Sequence, residues 1–286
     1  MDYKKPTEVV ALMIQSGTDK GRLNTTDLFV RGTLSGMLLG IGTTLAVTAG
    51  IQTGIPLAGA LLFPICFVVV VLMGLELVTG SFALLPAAYF HKTLPMPVML
   101  RNLAIVYGAN LFGALVYALL FWASVTSFGQ THASPLIPAL VKIATAKTVG
   151  YGQLGAAGIA TAFTKGILCN WMVTMGVVLA LTTSSAIGKI LAAWIPVFMF
   201  FAQGFEHAVV NMFVIPEGML LGAPVGVSDW WFYNQIPVTL GNIAGALLFT
   251  AAALYITYGR RKRQEPPMAQ EEPKLAEAIF REPHVA

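Results

Sequence analysis

The chain has 286 residues, of which 56% are hydrophobic and only 10% are charged, and its mean hydropathy is +0.74. Soluble domains carry about 25% charged residues, so this composition excludes a soluble enzyme, a collagen and a disordered chain. The formal net charge of +4 comes from basic residues clustered beside apolar segments and does not indicate a nucleic-acid surface. The continuous apolar segments predict an all-α integral membrane protein rather than a membrane barrel, whose segments alternate in hydrophobicity.

The elements are predicted in chain order from the apolar stretches. Residues 1–27 are polar and contain no cleavable signal sequence, so they are expected to form a cytoplasmic N-terminal segment. Six apolar stretches form the transport domain, 28–258, and are predicted at residues 28–50, 54–90, 101–126, 157–183, 188–221 and 234–258. The second and fifth stretches exceed the ~20 residues of one crossing but are too short for two, so each is expected to be one interrupted crossing. Residues 259–286 are polar and are predicted to be a disordered cytoplasmic tail.

The basic residues predict the orientation of these six crossings. Fourteen of the 17 lysines and arginines lie between the N-terminus and Arg31, in or at the edges of the 2–3 and 4–5 loops, or in the tail. Lys142 and Lys147 lie on the opposite side, and Lys165 lies inside the fourth stretch. The positive-inside rule therefore predicts a multi-pass protein of the plasma (inner) membrane with both termini in the cytoplasm.

An internal repeat relates residues 28–126 to residues 157–258. Three motifs recur in the same order and at a nearly constant offset along the chain. The matching motifs are Phe29-x-Arg31-Gly32-x-Leu34 with Phe163-x-Lys165-Gly166-x-Leu168, Gly74-x-Glu76 with Gly204-x-Glu206, and Asn110-x-x-Gly113-Ala114 with Asn242-x-x-Gly245-Ala246. Because each copy has three crossings, the second copy must enter the membrane upside down, which gives an inverted repeat.

The interruptions in helices 2 and 5 are predicted near Glu76–Ser81 and Glu206–Asn211. Inverted repeats place substrate near the bilayer midplane at such breaks, where non-helical backbone must be buried in protein or line a cavity. Glu76 and Glu206 are expected to be structural and to accept hydrogen bonds from the broken backbone or from the other half.

Small and amide side chains are predicted to hold the helices together. The stripe formed by Gly32, Gly36 and Gly40 is more typical of a close helix contact than of a ligand site. Asn110 and Asn242 are expected to form hydrogen bonds between helices.

Over about residues 28–258, the chain resembles the formate/nitrite transporter family. The resemblance is carried by Gly-Phe-Glu-His207-x-x-x-Asn211-Met212, Lys165-Gly-x-Leu-Cys-Asn170-Trp171 and Glu76-Leu-x-Thr79. It implies an aquaporin-like protomer with six transmembrane helices, a homopentamer with one pore per protomer, and passage of small monovalent anions such as formate or nitrite.

By matching position, the resemblance also implies the substrate pathway. His207 would be the central pore histidine, Thr79 its partner on a mobile loop, and Lys165 the basic residue beside the path. The other residues implied to lie on the pathway are Asn170, Asn211, Phe63, Phe67, Leu77, Val78 and Phe200. Val78 stands where many formate channels have phenylalanine, so the width of the constriction and the preferred anion stay open.

The chemistry of the substrate agrees with these residues. A bare anion is strongly disfavoured in an apolar constriction, whereas its protonated form is disfavoured much less. A histidine with an unperturbed pKa of about 6.5 can donate a hydrogen bond or a proton at that point. Lys165 and the helix N-termini near Thr79 and Asn211 would add positive charge, which favours an anion over a cation.

Other interpretations stay open. His207 could be a satisfied core residue, and Lys165 could extend its charge to the interface. An aquaporin-like channel for neutral solutes would share the inverted repeat, but the chain has no Asn-Pro-Ala at either break. A membrane enzyme is disfavoured because no nucleophile–base set is recognisable, and Cys66 and Cys169 lack metal-ligand spacing, so no cofactor or metal is expected. No residue of the sequence distinguishes acetate, lactate or hydrosulfide from formate and nitrite as the transported anion. Whether protons are transported with the anion also stays open.

Overall fold

The computed structural model describes residues 3–259, which fold into an all-helical unit without a strand in that range. The predicted tail, apart from its first residue, lies outside the described residues. In chain order the helices are α1 (Pro6–Arg22), α2 (Thr25–Thr53), α3 (Pro56–Leu62), α4 (Pro64–Leu72), α5 (Val78–Phe90), α6 (Met96–Val125), α7 (Leu136–Lys147), α8 (Val149–Gln153), α9 (Ala156–Leu179), α10 (Ala186–Ala202), α11 (Ala208–Leu220) and α12 (Val227–Gly259).

Within residues 3–259, four helices are long and apolar enough to cross a membrane, namely α2, α6, α9 and α12. The other apolar helices are shorter and follow one another in two groups. One group is α3, α4 and α5, and the other is α10 and α11. Helix α12 includes three π-helical stretches, at Trp231–Gln235, Leu247–Ala252 and Tyr255–Gly259.

The second and fifth apolar stretches are interrupted, but earlier than the sequence predicted. Helix α4 ends at Leu72 and α5 begins at Val78, so the first junction is Met73–Leu77. The second junction, between α10 and α11, is Gln203–His207. Thr79 therefore lies in the first turn of a helix, and its expected place on a mobile loop is wrong.

Two amphipathic helices occur where the sequence predicted only a polar segment and a loop. Helix α1 begins with Pro6 at its first position and with the amide of Lys5 donating to Glu8 Oε2 at 2.8 Å. Its buried face contacts α5, while α7 contacts α11 in the other half of the chain. Each helix thus covers the short helix that follows a junction.

Glycines allow the long helices to pack closely. Gly32, Gly36 and Gly40 on α2 face α6, and a Cβ atom at Gly36 would overlap the Asn110 carbonyl. Helices α9 and α12 make the corresponding contact, in which Gly245 lies against the Ile167 carbonyl. The interpretation of the glycine stripe as a close helix contact is confirmed.

Candidate functional site

The second residue of each junction is a glycine with positive φ. Gly74 has φ of 60° and Gly204 has φ of 65°, in the left-handed region that side chains with a Cβ rarely adopt. The last residue of each junction, Leu77 or His207, has extended backbone, and the next helix begins directly after it at Val78 or Ala208. The turns that follow α4 and α10 therefore need glycine at these two positions, which are equivalent in the two halves of the repeat.

A buried asparagine holds the backbone of the first junction. Asn110 Oδ1 accepts a hydrogen bond from the Val78 amide at 2.9 Å. Its Nδ2 donates to the carbonyls of Gly32 and Glu76, at 2.8 and 2.9 Å. One side chain thus satisfies backbone groups that the interrupted helix leaves without partners.

Asn242 makes the same three kinds of hydrogen bond at the second junction. It accepts from the Ala208 amide at 2.9 Å and donates to the carbonyls of Gly166 and Glu206, at 2.8 and 2.9 Å. The prediction that Asn110 and Asn242 form hydrogen bonds between helices is confirmed. Both helix starts are fixed by a side chain that belongs to a later helix of the same half.

The two halves of the chain meet at Thr79 and His207. Thr79 Oγ1 lies 3.1 Å from His207 Nε2, and both side chains are buried. His207 Nδ1 accepts from the Val210 amide at 3.2 Å and so caps α11. Because an accepting nitrogen carries no proton, the neutral ring has its proton on Nε2 and donates it to Thr79. The Thr79 hydroxyl keeps its own hydrogen for another acceptor.

Aromatic rings pack around this pair. The Phe200 ring stacks on His207 with a centroid distance of 5.8 Å and an interplanar angle of 18°. Phe63 meets Phe200 edge-on at 5.9 Å and stacks on Phe201 at 4.0 Å. The imidazole therefore lies in apolar surroundings, with its hydrogen bonds directed to Thr79 and Val210.

A cavity adjoins each junction. The Lys20 cavity, of about 260 Å³, is lined by Lys20, Phe67, Leu77 and Ser81 among others. The Lys147 cavity, of about 460 Å³, is lined by residues that include Lys147, Phe200, His207, Val210 and Val214. The two cavities share no lining residue, and Thr79, Val78 and Phe63 line neither of them.

A lysine from an amphipathic helix binds the glutamate of each junction. Lys20 Nζ on α1 lies 2.7 Å from Glu76 Oε1. Lys147 Nζ at the end of α7 lies 2.7 Å from Glu206 Oε2. The expectation that these carboxylates accept hydrogen bonds from the broken backbone or from the other half is wrong. The asparagines bind that backbone, and each glutamate binds the lysine of the amphipathic helix that packs on its own half.

The remaining predicted residues stand outside the cavities. Lys165 Nζ lies 5.9 Å from the centroid of the Tyr151 ring and lines neither cavity. Asn170 Nδ2 donates to the carbonyls of Thr79 and Asn242, at 3.1 and 2.7 Å. Asn211 Nδ2 donates to Glu206 Oε2 at 2.7 Å. Both amides thus hold the groups that surround the Thr79–His207 pair.

Sequence reasoning missed Lys20 and Lys147 as residues of the site. The charge pattern alone assigns Lys20 to membrane orientation and Lys147 to a loop. A signal was present, because the spacing between the two lysines is close to the offset of the repeat motifs. The repeat therefore extends one helix further towards the N-terminus in each half.

Metal-binding groups are sparse in this region. Within residues 3–259, no cluster of three or more His, Cys, Asp or Glu residues could hold a metal ion. Cys66 and Cys169 are buried free thiols.

Comparisons with known proteins place the chain among membrane transporters, and the match to a family model covers both junctions and both lysines. The family model described as formate/nitrite transporter matches residues 7–256. A probable formate transporter of Methanothermobacter thermautotrophicus is 34% identical over 271 residues, which are 90% of this chain and 97% of the relative. An FNT family ion channel of known structure aligns with a TM-score of 0.77 and 26% identity, over 88% of this chain and 99% of that chain. A pentameric formate channel with formate bound aligns with a TM-score of 0.66 and 24% identity, over 82% of this chain and 97% of that chain.

Proposed function

Because this chain belongs to the formate/nitrite transporter family, we propose that it carries formate, nitrite and similar small monovalent anions between the Lys20 cavity and the Lys147 cavity, past Thr79 and His207. The observation that carries the proposal is the arrangement of two separate cavities, each with a lysine in its wall, around one buried hydrogen-bonded pair. A path for cations would not place an ammonium group at both ends.

We further propose that the protomer is aquaporin-like, with six crossings in two inverted repeats of three. Helices α3 to α5 would form one interrupted crossing, and α10 with α11 the other. The proposal is supported by the equivalent hydrogen bonds of Asn110 and Asn242 and by the positive φ angles of Gly74 and Gly204.

The proposed orientation follows from the charges. Both termini would lie in the cytoplasm of a cell whose plasma (inner) membrane holds the protein, so the Lys20 cavity would open inward and the Lys147 cavity outward. A reporter fused to the C-terminus tests this, since a signal from the outer side would contradict it. A homopentamer is proposed because one structural relative is a pentameric formate channel. Native mass spectrometry of the purified protein tests that assembly.

The lysines would collect the anion, and the helix starts would stabilise it. Side chains of Lys20 and Lys147 are 18% and 21% exposed, so each ammonium reaches its cavity while bound to a glutamate. Helices α5 and α11 both begin beside the Thr79–His207 pair, and a helix N-terminus carries a partial positive charge of roughly +0.5. The ammonium groups at the two cavities and the helix N-termini at the centre therefore favour an anion over a cation at these three points.

At the centre, Thr79 would be the group that contacts the anion. His207 Nε2 donates to Thr79 Oγ1, which leaves the threonine hydroxyl free to donate to a carboxylate or nitrite oxygen. A neutral imidazole suffices for this role, and protonation at Nδ1 would break the hydrogen bond from Val210. We propose that His207 acts as a neutral donor through Thr79 and keeps the same protonation state while the anion passes.

Reconstituted vesicles provide the decisive test. Formate, nitrite, acetate, lactate, hydrosulfide and glycerol are compared in stopped-flow uptake, each at several pH values, in vesicles with and without the protein. Uptake of formate or nitrite with glycerol excluded is the expected result. Uptake of glycerol without uptake of any anion would support the aquaporin-like alternative and contradict the proposal.

A further inference from the structure

A buried carboxyl group without a partner lies on α11, away from the residues assigned above. The Glu217 side chain is fully buried, and neither of its oxygens has a hydrogen-bond partner within the described residues. No lysine, arginine or histidine of residues 3–259 forms a salt bridge with it. Lys147, on the helix that packs against α11, is already bound to Glu206.

Helix geometry connects Glu217 with the Lys147 cavity. His207, Val210, Val214 and Glu217 are spaced by three, four and three residues, so they lie along one face of α11. The first three line the Lys147 cavity. Glu217 is thus the next residue on the cavity-lining face, one turn beyond Val214.

The titratable groups packed around α11 offer Glu217 no compensating charge. Tyr117 on α6 contacts Phe213, one turn before Glu217, and its hydroxyl is 2.8 Å from Thr44 Oγ1. Charged residues of α2 and α6 lie near the first turns, about 20 Å along the axis from Thr44 and Tyr117. The other titratable residues on the helices in contact with α11 are Asp27, Arg31, Tyr89, Arg101, Tyr107, Lys142, Asp229, Tyr233, Tyr255 and Tyr258.

An ionised carboxylate in this position would be a buried charge without a hydrogen-bond donor, which is strongly disfavoured. The neutral acid avoids that cost. We propose that Glu217 is a proton-binding site beside the Lys147 cavity: the site holds a proton while the protein transports, and loss of that proton disrupts the packing of α11 and slows transport. The predicted effect on transport rests on the proposed function, whereas the predicted binding of a proton to Glu217 does not.

The site would act on one side of the membrane only. At the offset that relates Gly204 to Gly74, the residue that matches Glu217 is Ala87 on α5, and its methyl group is fully buried. The half of the protein that carries the Lys20 cavity therefore has no titratable side chain at this position. Transport should depend on pH at the Lys147 cavity through Glu217, with no equivalent dependence at the Lys20 cavity.

Infrared difference spectroscopy tests proton binding directly. Spectra of the reconstituted wild-type protein and of Glu217→Gln are compared at neutral pH in H₂O and D₂O. The expected result is a carbonyl band of a protonated carboxyl group that shifts in D₂O and is lost in Glu217→Gln. Absence of such a difference at neutral pH would overturn the proposal, whether or not the protein transports formate.

Transport in vesicles tests the consequence. The pH on the side of the Lys147 cavity is raised while the other side is held constant, and formate flux is measured. Wild-type protein should lose transport as the pH rises, whereas Glu217→Gln and Glu217→Met should match it at neutral pH and keep that rate. Size-exclusion chromatography verifies the assembly of each variant, and Met serves if Gln fails to fold. A variant that loses transport over the same pH range as the wild type would contradict the proposed role.

Discussion

The two junctions use the same backbone geometry but surround their glutamates very differently. Glu206 accepts hydrogen bonds from Lys147, Tyr151 and Asn211, at 2.7, 2.8 and 2.7 Å. Glu76 accepts from Lys20 alone, and its Oε2 has no partner among the described residues. The repeated backbone is therefore compatible with two electrostatic environments, one fully bonded and one depending on a single lysine.

The difference extends to the residue five positions after each glutamate. Asn211 donates to Glu206, but its counterpart in the first half, Ser81, has a hydroxyl without a partner within the described residues and lines the Lys20 cavity. Lys147 is therefore one of several donors to its carboxylate. Lys20 is the one donor to the Glu76 carboxylate within residues 3–259, so an anion that draws Lys20 away leaves that carboxylate unpaired.

The largest expected effect comes from substitution of His207, the residue of the second half that contacts Thr79 of the first half. His207→Phe keeps an aromatic ring of similar bulk but removes the donor to Thr79 and the cap of α11. Without the hydrogen bond from Nε2, the Thr79 hydroxyl is no longer held with its own hydrogen free for the anion. We expect this to destabilise the anion at this point by about 2–5 kcal/mol, which slows uptake tenfold for each 1.4 kcal/mol, so formate uptake should collapse.

His207→Asn is the matched control for that experiment, because an amide can donate a hydrogen bond but cannot release a proton. If His207 acts as a neutral donor, the asparagine variant should retain measurable uptake in vesicles. A His207→Phe variant that transports at the wild-type rate would show that the imidazole only packs.

Substitution of each lysine tests most directly whether the two glutamates differ in how strongly they depend on that lysine. Lys20→Met leaves the buried Glu76 without a donor and should lower the free energy of unfolding by about 3–5 kcal/mol. Lys147→Met leaves Glu206 bonded to Tyr151 and Asn211 and should cost only about 1–3 kcal/mol. Thermal unfolding in one detergent compares the two, and Glu76→Gln should restore stability in the Lys20→Met background. Equal losses would show that the extra donors to Glu206 contribute nothing.

Substitution of the two asparagines tests whether the hydrogen bonds to the backbone contribute equally at the two junctions. Asn110→Ala and Asn242→Ala each remove three hydrogen bonds from buried backbone groups, so each should lower stability by about 2–4 kcal/mol. Nearly equal shifts of the unfolding temperature are expected. Shifts that differ severalfold would contradict the equivalence of the two junctions.

Ser81→Ala should have the smallest effect on stability. The hydroxyl has no hydrogen-bond partner to lose in the described part of the chain, so the change in free energy of unfolding should stay within about 0.5 kcal/mol. Asn211→Ala, the matched variant, removes the hydrogen bonds that Nδ2 donates to Glu206 Oε2 and Asn234 Oδ1 and should cost about 1–3 kcal/mol. Unfolding curves of the two variants compare the positions, and a large loss for Ser81→Ala would reveal a bond to a group outside the described residues.

The sequence was informative wherever the signal was local or repeated. Matching motifs predicted the interruptions and the role of Asn110 and Asn242, and continuous apolar runs predicted α2, α6, α9 and α12. The exact starts of α5 and α11 were displaced because amide side chains from distant helices bind the first backbone N–H groups. Hydropathy cannot show such a contact.

The amphipathic helices and their lysines were harder to predict. Helix α1 has one polar face, so its average hydropathy is low. Helix α7 is apolar but has only 12 residues, too few for a crossing, so a search for apolar spans finds neither helix. The bonds from Lys20 to Glu76 and from Lys147 to Glu206 join residues 56 and 59 positions apart. They follow from the packing of α1 on α5 and of α7 on α11, which no local pattern specifies.

The cap that His207 forms on α11 also restricts how the ring can move. Nδ1 is bound to Val210 and Nε2 to Thr79, so rotation of the imidazole by half a turn about the Cβ–Cγ bond would break both hydrogen bonds at once. Phe200 stacked on one face hinders partial rotation as well. The ring should therefore stay in a single rotamer and a single tautomer, giving one sharp set of imidazole signals by NMR. On the proposed path, a passing anion would meet a rigid histidine. The threonine hydroxyl, which needs only a rotation about its own C–O bond, would be the group that adjusts.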